Sequence, residues 1–509
     1  MLRRLYPLPT VFTLAALVAA GTGLAQDRPA DLNVAAAVAA LDGIVADAMT
    51  ASGVPGVAVA VVHEGDTIFS KGYGVRELGH PGAVTPDTVF QIASLSKSVA
   101  ATVVAGQIAE TEVDWTTPVQ SLLPWFDLSD TWVSSHVTIG DLFSHRSGLP
   151  EKAGDVLEDL GFDRREVLSR LDLLPLLPFR ISYGYSNFGL TAAAEAVAVA
   201  AGTDWASLSE ATLYAPLGMT RTSSRFDDFV AHEERAIGHT LVNEVFTPYR
   251  SRQPDAQSPA GGMSSTVTDF AKWMIMVLEG GDAPLVAASN LLPAVTPQVI
   301  SRRSATAATL PEFYGFGFGV GPDATGRVRL SHSGAFVLGA ATRYVMIPEA
   351  GLGIVVFTNG TPVGAPEAIA QTFVDVAEFG AAQRDWWGLF SEGFRPFRAP
   401  VGELAGQVPP TDPAPAGPLD SYAGTYDHAF FGPATITATD GSLTLSLGPN
   451  GLSFPLTHWS GDRFVYDVLN ENMPAGSVAE VTFDAAVNGA SPALRIDYLA
   501  ADDWGTFRR

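Results

Sequence analysis

Between Ala399 and Pro418 the sequence turns rich in Pro, Ala and Gly, including Pro409-Pro410 and Pro413-Ala414-Pro415. Proline fixes φ and removes an amide donor, so neither a helix nor a central strand runs through such a stretch. The 509 residues therefore divide there into a large part and a small one. Residues 26–398 read as the large domain, 399–418 as an extended linker, and 419–509 as a small all-β domain. A stretch of this kind leaves few contacts across the boundary, so the small domain is expected to fold separately.

The large part alternates helical and strand patterns. Val34, Val38, Leu41, Val45 and Met49 recur at helical spacing, with Gly53 where a helix would stop. The runs Val57 to Val62 and Thr67 to Tyr73, joined by Glu64-Gly65-Asp66, read as an antiparallel hairpin. Helical patterns follow at Val99 to Glu110 and Thr191 to Ala201, and strand patterns at Tyr344 to Ile347 and Gly353 to Phe357. The fold class is α/β in the α+β sense. In the small part, Ala434 to Thr439, Ser442 to Leu447, Arg463 to Val468 and Leu494 to Leu499 alternate as strands, and Asp440-Gly441 signals a hairpin turn.

Charge and cysteine content exclude several functions. With 54 acidic against 30 basic residues, the net charge of −24 repels phosphate backbones and anionic lipid surfaces, so no nucleic-acid partner is expected. The chain has no cysteine, which excludes disulfides, thiol catalysis and cysteine-ligated metal. Arg3 and Arg4, an apolar run from Val11 to Ala20, then Gly23 and Ala25 form the pattern of a signal peptide over residues 1–25. Its run is shorter than the ~20 residues of a spanning helix, and no later stretch reads as membrane-spanning. The expected location is the bacterial periplasm or the exterior, with no stable anchor after processing.

Three segments carry chemistry. In Phe90-Gln-Ile-Ala-Ser94-Leu-Ser-Lys97, a Ser and a Lys stand three apart at the start of a helical pattern and so share one face. A serine hydroxyl needs a base to become a nucleophile, and an amine serves if burial lowers its pKa. The apolar flanks Val89, Phe90, Ile92, Val99, Val103 and Val104 bury this helix, where an unpartnered lysine would be costly. The second segment, Gly184-Tyr185-Ser186-Asn187-Phe188-Gly189, is a polar loop ahead of an apolar helix. In isolation it also reads as an ordinary turn and cap. The third, Ser331-His332-Ser333-Gly334-Ala335, places a glycine where a substrate backbone approaches an edge strand.

Taken together and in this order, the three segments resemble the serine β-lactamase and penicillin-binding-protein superfamily, specifically its class C branch with Tyr-x-Asn as second motif. Val137 to Pro150, Ala215 to Thr220, Pro259 to Thr266, Tyr314 to Gly317 and Phe357 to Gly360 also look like family landmarks, so the resemblance spans roughly residues 30 to 395. It implies an antiparallel sheet flanked by helices with a helical subdomain, and no cofactor or metal. It further implies that Ser94 attacks and that Lys97 and Tyr185 handle its proton. Asn187 would position Lys97 and substrate, His332, Ser333 and Gly334 would orient substrate, and the backbone N–H groups of Ser94 and Ala335 would form the oxyanion hole.

His332 departs from the Lys found in many relatives; its charge near neutral pH is conditional, which weighs against efficient β-lactamase action. The run Ser421-Tyr422-Ala-Gly424-Thr-Tyr426 resembles the opening of a lipocalin-like β-barrel, read here as a module for stability or assembly rather than a wall of the substrate site.

Other readings fail. There is no Gly-x-Ser-x-Gly elbow and no phosphate-binding loop, and Ala236 stands where a His232-Glu233 zinc motif needs its second His. His145 reads as a residue that satisfies loop backbone groups. The expected reaction is acyl transfer to water from an amide or ester. The substrates, a small molecule or peptide, rank as D-amino-acid-containing peptides or peptidoglycan fragments, then small esters, then β-lactams. A second class of function, an idle penicillin-binding sensor or scaffold, keeps the same fold. Oligomeric state is not legible.

Overall fold

The computed structural model describes residues 32–108, 110–249, 252–281, 285–323, 325–500 and 504–509. The expected signal peptide, residues 1–25, lies outside the described residues. Helix α1 (Val34–Ser52) starts under the Asn33 cap and stops at Gly53, whose φ of 71° is the left-handed conformation that a glycine adopts without strain. With 19 residues, α1 is long and apolar enough by composition to cross a membrane, which corrects the expectation that no stretch beyond the leader would be. Alanines raise its hydropathy, but Leu41 and Val45 are buried in the core.

The central sheet has eight strands: β1 (Gly56–His63), β2 (Asp66–Gly74), β3 (Val299–Arg302), β4 (Glu312–Tyr314), β5 (Gly319–Pro322), β6 (Val328–Phe336), β7 (Ala340–Ile347) and β8 (Leu352–Thr358). Their spatial order is β2-β1-β8-β7-β6-β5-β4-β3, with every neighbouring pair antiparallel. Both faces are covered, so β1 reads as an unbroken apolar run. Val57, Val59 and Val61 join Leu41 and Phe373 in one cluster, while Ala58, Ala60 and Val62 join Phe270 and Trp273 in the other.

The glycine-bearing strand β6 is an inner strand at its start and an edge where Gly334 lies. β7 pairs with Leu330 to Phe336, whereas β5 covers only Val328 to Ser331. From His332 onward one side of β6 therefore has no neighbouring strand, and it is this half that borders the cleft.

The C-terminal part is an eight-stranded antiparallel meander running from Gly424–Tyr426 to Thr506–Arg508. A bridge between Asp427 and Arg508 joins its two ends into a nearly closed barrel. Asp440 and Gly441 both have positive φ, 50° and 78°, as the two-residue hairpin turn requires.

The barrel is not held at a distance. Leu157, Leu160 and Phe162 of the helical region share one buried apolar cluster with Tyr422, Phe430 and Phe431 of the barrel. Arg170 Nη1 donates to the Phe430 carbonyl at 2.7 Å, and Asn472 Nδ2 to Asp159 Oδ2 at 2.7 Å. The connecting stretch is itself tied down: Val401 N donates to Ser477 Oγ at 3.0 Å, and Gly417 N to the Tyr422 hydroxyl at 2.7 Å. Prolines remove donors along the stretch but leave its carbonyls and remaining amides free to pair, so the expectation of few contacts across this boundary is wrong.

Candidate active site

Ser94 lies in a one-turn 3₁₀ segment, Ala93–Leu95, that feeds helix α2 (Ser96–Gln107). Lys97 follows one turn later, at the start of α2, so the two side chains share a face and Lys97 Nζ lies 3.0 Å from Ser94 Oγ. Ala93 is held at φ 48°, a left-handed conformation that costs a non-glycine residue of order 1 kcal/mol and that surrounding structure must enforce. Ser96 helps to do so: its hydroxyl donates to the Ala93 carbonyl at 2.6 Å and accepts from Met263 N at 3.1 Å.

Lys97 is fully buried, and burial lowers its pKa from 10.5 to about 7, against an opposing pull from Asp155. Its nitrogen donates to Asn187 Oδ1 at 2.7 Å and to the Ala260 carbonyl at 2.9 Å. A neutral amine has two N–H bonds and one lone pair. When the amine is neutral and its two N–H bonds go to Asn187 and Ala260, the lone pair is left for Ser94 Oγ; when it is protonated, the third N–H donates to Ser94 Oγ.

Tyr185 lines the cleft beside Ser94, and its ring lies 4.7 Å from Lys97 Nζ. Burial pushes its phenol well above the ordinary range, so it stands as a neutral phenol. The loop that presents it ends in a helix cap, Ser186 Oγ accepting from Gly189 N at 2.9 Å, so the segment is both a cap and a site element. Helix α3 (Asn187–Ala200) begins there. His145 holds this loop, its Nδ1 accepting from Ser186 N at 3.2 Å. Its role in satisfying backbone is the one expected.

His332 is buried, with Nε2 2.8 Å from the Tyr314 hydroxyl and Nδ1 2.7 Å from the Ser333 carbonyl. Desolvation and the nearby Lys97 push its pKa down to about 3. It is therefore neutral at physiological pH and supplies no cation for a substrate carboxylate. Gly334 is small for the chain's own sake: a Cβ there would collide with Thr342 Oγ1 and the Ile92 carbonyl, and would lie 3.1 Å from Ser94 N. The glycine thus lets β6 press against the nucleophile turn. Ala335 follows it, and the Ser333 hydroxyl donates to Glu367 Oε1 at 2.8 Å while accepting from Arg343 at 3.1 Å.

These groups open into a cleft of about 190 Å³ lined by Ser94, Tyr185, Asn187, His332, Ser333 and Ala335 among others. Its other walls are residues that sequence reasoning missed: Asp155, Glu158 and Arg252, Phe394 and Phe397, and Glu471, Asn472 and Pro474 of the barrel. Asp155 accepts from Asn187 Nδ2 at 3.0 Å. Glu471 accepts from Val337 N at 2.8 Å and stands 3.7 Å from Arg252 Nε. The barrel is thus a wall of the cleft, which overturns its reading as a module for stability or assembly alone. No local pattern around Glu471 signals this, because a carboxylate in a loop reads as solvated.

Comparison with known proteins agrees with the fold. An unguisins hydrolase of Aspergillus campestris, ungD′, is 28% identical over 411 residues, covering 75% of this chain and 74% of its own. Penicillin-binding protein 4 of Amycolatopsis lactamdurans is 28% identical over 394 residues, covering 74% of this chain and 93% of its own. The octameric penicillin-binding protein homologue from Pyrococcus abyssi superposes with a TM-score of 0.59 at 20% identity, over 90% of this chain and 98% of that one. Residues 408–506 match a domain of unknown function, DUF3471. Residues 41–378 match the Beta-lactamase family, and the chain belongs to that family of serine hydrolases.

Proposed function

We propose that the chain hydrolyses an amide or ester through an acyl-enzyme on Ser94. The observation that carries this reading is the Lys97 amine, 3.0 Å from Ser94 Oγ with both N–H bonds engaged elsewhere and a pKa near 7. Ser94 Oγ attacks the carbonyl carbon as its proton passes to Lys97 Nζ. The backbone N–H groups of Ser94 and Ala335 receive the oxyanion. The C–N or C–O bond then breaks and the leaving group takes a proton relayed through Tyr185, whose neutral phenol can give one proton as it accepts another. Water attacks the ester next, releasing the acid and restoring the serine. Asn187 holds the lysine in register.

The preferred substrates are D-amino-acid-containing peptides or peptidoglycan fragments, ahead of small esters and β-lactams. Neutral His332 weighs against substrates held by a carboxylate, β-lactams and peptides with a free C-terminus alike, and so favours amides and esters without one beside the scissile bond. Export by the leader over residues 1–25 belongs to this reading. Assay of the purified protein and its Ser94→Ala variant on a chromogenic ester, a D-alanyl peptide and a penicillin tests it. Turnover in the parent and none in the variant is the expected result. An inert parent would favour the idle sensor.

A further inference from the structure

Asp155 and Glu158 stand three residues apart on the short helix Asp155–Asp159, so their side chains are neighbours, and both line the cleft that contains Ser94. Asp155 is 8% exposed. One of its oxygens accepts from Asn187 Nδ2, and no donor among the described residues reaches the other, Oδ1. The Glu158 side chain is 6% exposed. Its Oε2 accepts from Arg252 Nη2 at 3.1 Å and from Gln257 Nε2, and again no donor among the described residues reaches Oε1. A buried carboxylate oxygen without a donor is costly, and two such carboxylates side by side repel each other as well. A cation between them relieves both penalties.

The other charges of the cleft offset these carboxylates only in part: Lys152 and Lys97 both attract Asp155, yet neither donates to its Oδ1. Arg252 lies between Glu158 and Glu471 with its guanidinium 4.5 Å above the Phe336 ring. Lys152 is exposed and extends to Asn472 Oδ1 at 3.4 Å. Burial pushes Glu471 up to about 8, so it is largely protonated at neutral pH, and three lining carboxylates, Glu151, Asp155 and Glu158, face Lys152 and Arg252.

We propose that this end of the cleft is a subsite for a positively charged amino group of the substrate, held by Asp155 Oδ1 and Glu158 Oε1. Asp155 is linked to the nucleophile through Asn187 and Lys97 by contacts of 3.0, 2.7 and 3.0 Å. The ammonium therefore sits within a few bonds of the carbonyl that Ser94 attacks. The substrate class is an amide or ester of an amino acid or peptide with a free amino group near the scissile bond, and Phe336, Phe394 and Phe397 offer an apolar wall for its carbon skeleton. The subsite rests on the hydrolase reading and narrows it.

Its test is binding, separate from turnover. Titration calorimetry of the full-length Ser94→Ala protein with D-alaninamide and with N-acetyl-D-alaninamide compares ligands that differ in the ammonium. The amine is expected to bind at least about tenfold more tightly, as loss of a charge-assisted contact implies. Glu158→Gln in the same background is expected to bring the two ligands to within about threefold, and Asp155→Asn provides a second variant should the first fail to fold. Equal affinities, a preference for the acetylated amide, or no detectable binding of the amine would each overturn the subsite. Absence of hydrolysis by the unsubstituted protein would instead overturn the hydrolase reading and leave the binding comparison intact.

Discussion

At the nucleophile end of the cleft, the reacting groups come from two short stretches, Ser94 to Lys97 and Tyr185 to Asn187, and each polar atom has a partner within the same few residues or one carbonyl away. At the barrel end, the charged groups come from residues 151–158, Arg252 and Glu471, more than 300 positions apart, and two carboxylate oxygens have no donor among the described residues. The first end is organised for proton transfer and is complete without substrate. The second is organised for recognition and carries unbalanced charge. If the proposed roles hold, reaction chemistry follows from local spacing, while specificity follows from how the helical region and the barrel meet.

The sharpest way to break this contrast is to remove the base. Lys97→Ala should lower kcat by ~10²–10⁴-fold with little change in substrate affinity, measured in single-turnover assays. In the parent, kcat/KM should rise with pH through about 7, because the neutral amine is the active form and protonation below that value removes its lone pair. The groups that face the amine are Asp155, Tyr185, Asn187, His145 and His332; Asp155, raised by burial to about 6, titrates in the same window as a coupled partner. A rate independent of pH from 5 to 9 would contradict this assignment.

A chain ending at Arg398 probes the other end. Loss of the barrel exposes Leu157, Leu160 and Phe162 and leaves the Val337 amide and Arg252 without Glu471. The expected result is a lower melting temperature and at least a tenfold loss of kcat/KM, read by calorimetry and ester hydrolysis. Retention of both would make the barrel a bystander.

The difference in construction also explains what was legible in the sequence. The Ser94-Leu-Ser-Lys97 spacing, the Gly53 stop and the Asp440-Gly441 turn depend on dihedrals within a few residues, and each stands as the sequence pattern implies. The chemistry of His332 was not legible, because its neutrality depends on burial by the surrounding fold and on Lys97 across the cleft. That Gly334 must be small for contact with Ile92 and Thr342 is a fact of tertiary packing that no local pattern carries. Asp155 and Glu158 are indistinguishable in sequence from a solvated acidic turn. The Pro-rich stretch was legible as a break in secondary structure but gave no signal that apolar residues on either side of it share a core.

Smaller effects refine the same contrast. His332→Ala should reduce kcat/KM by a similar factor for neutral and carboxylate-bearing esters, since the ring has no charge to offer; a loss confined to the carboxylate-bearing ester would restore a recognition role. Ser96→Ala should cost about 1 kcal/mol of stability by freeing the Met263 amide and the Ala93 carbonyl, while most of the turnover survives, as a denaturant titration and an ester assay would show.

The most direct measurement is peptide mapping by mass spectrometry after labelling with a fluorophosphonate or a penicillin. An adduct on Ser94, retained in Ser96→Ala and lost in Ser94→Ala, is the predicted result. An adduct on any other serine, or full activity in Ser94→Ala, would contradict the assignment of Ser94 as the nucleophile.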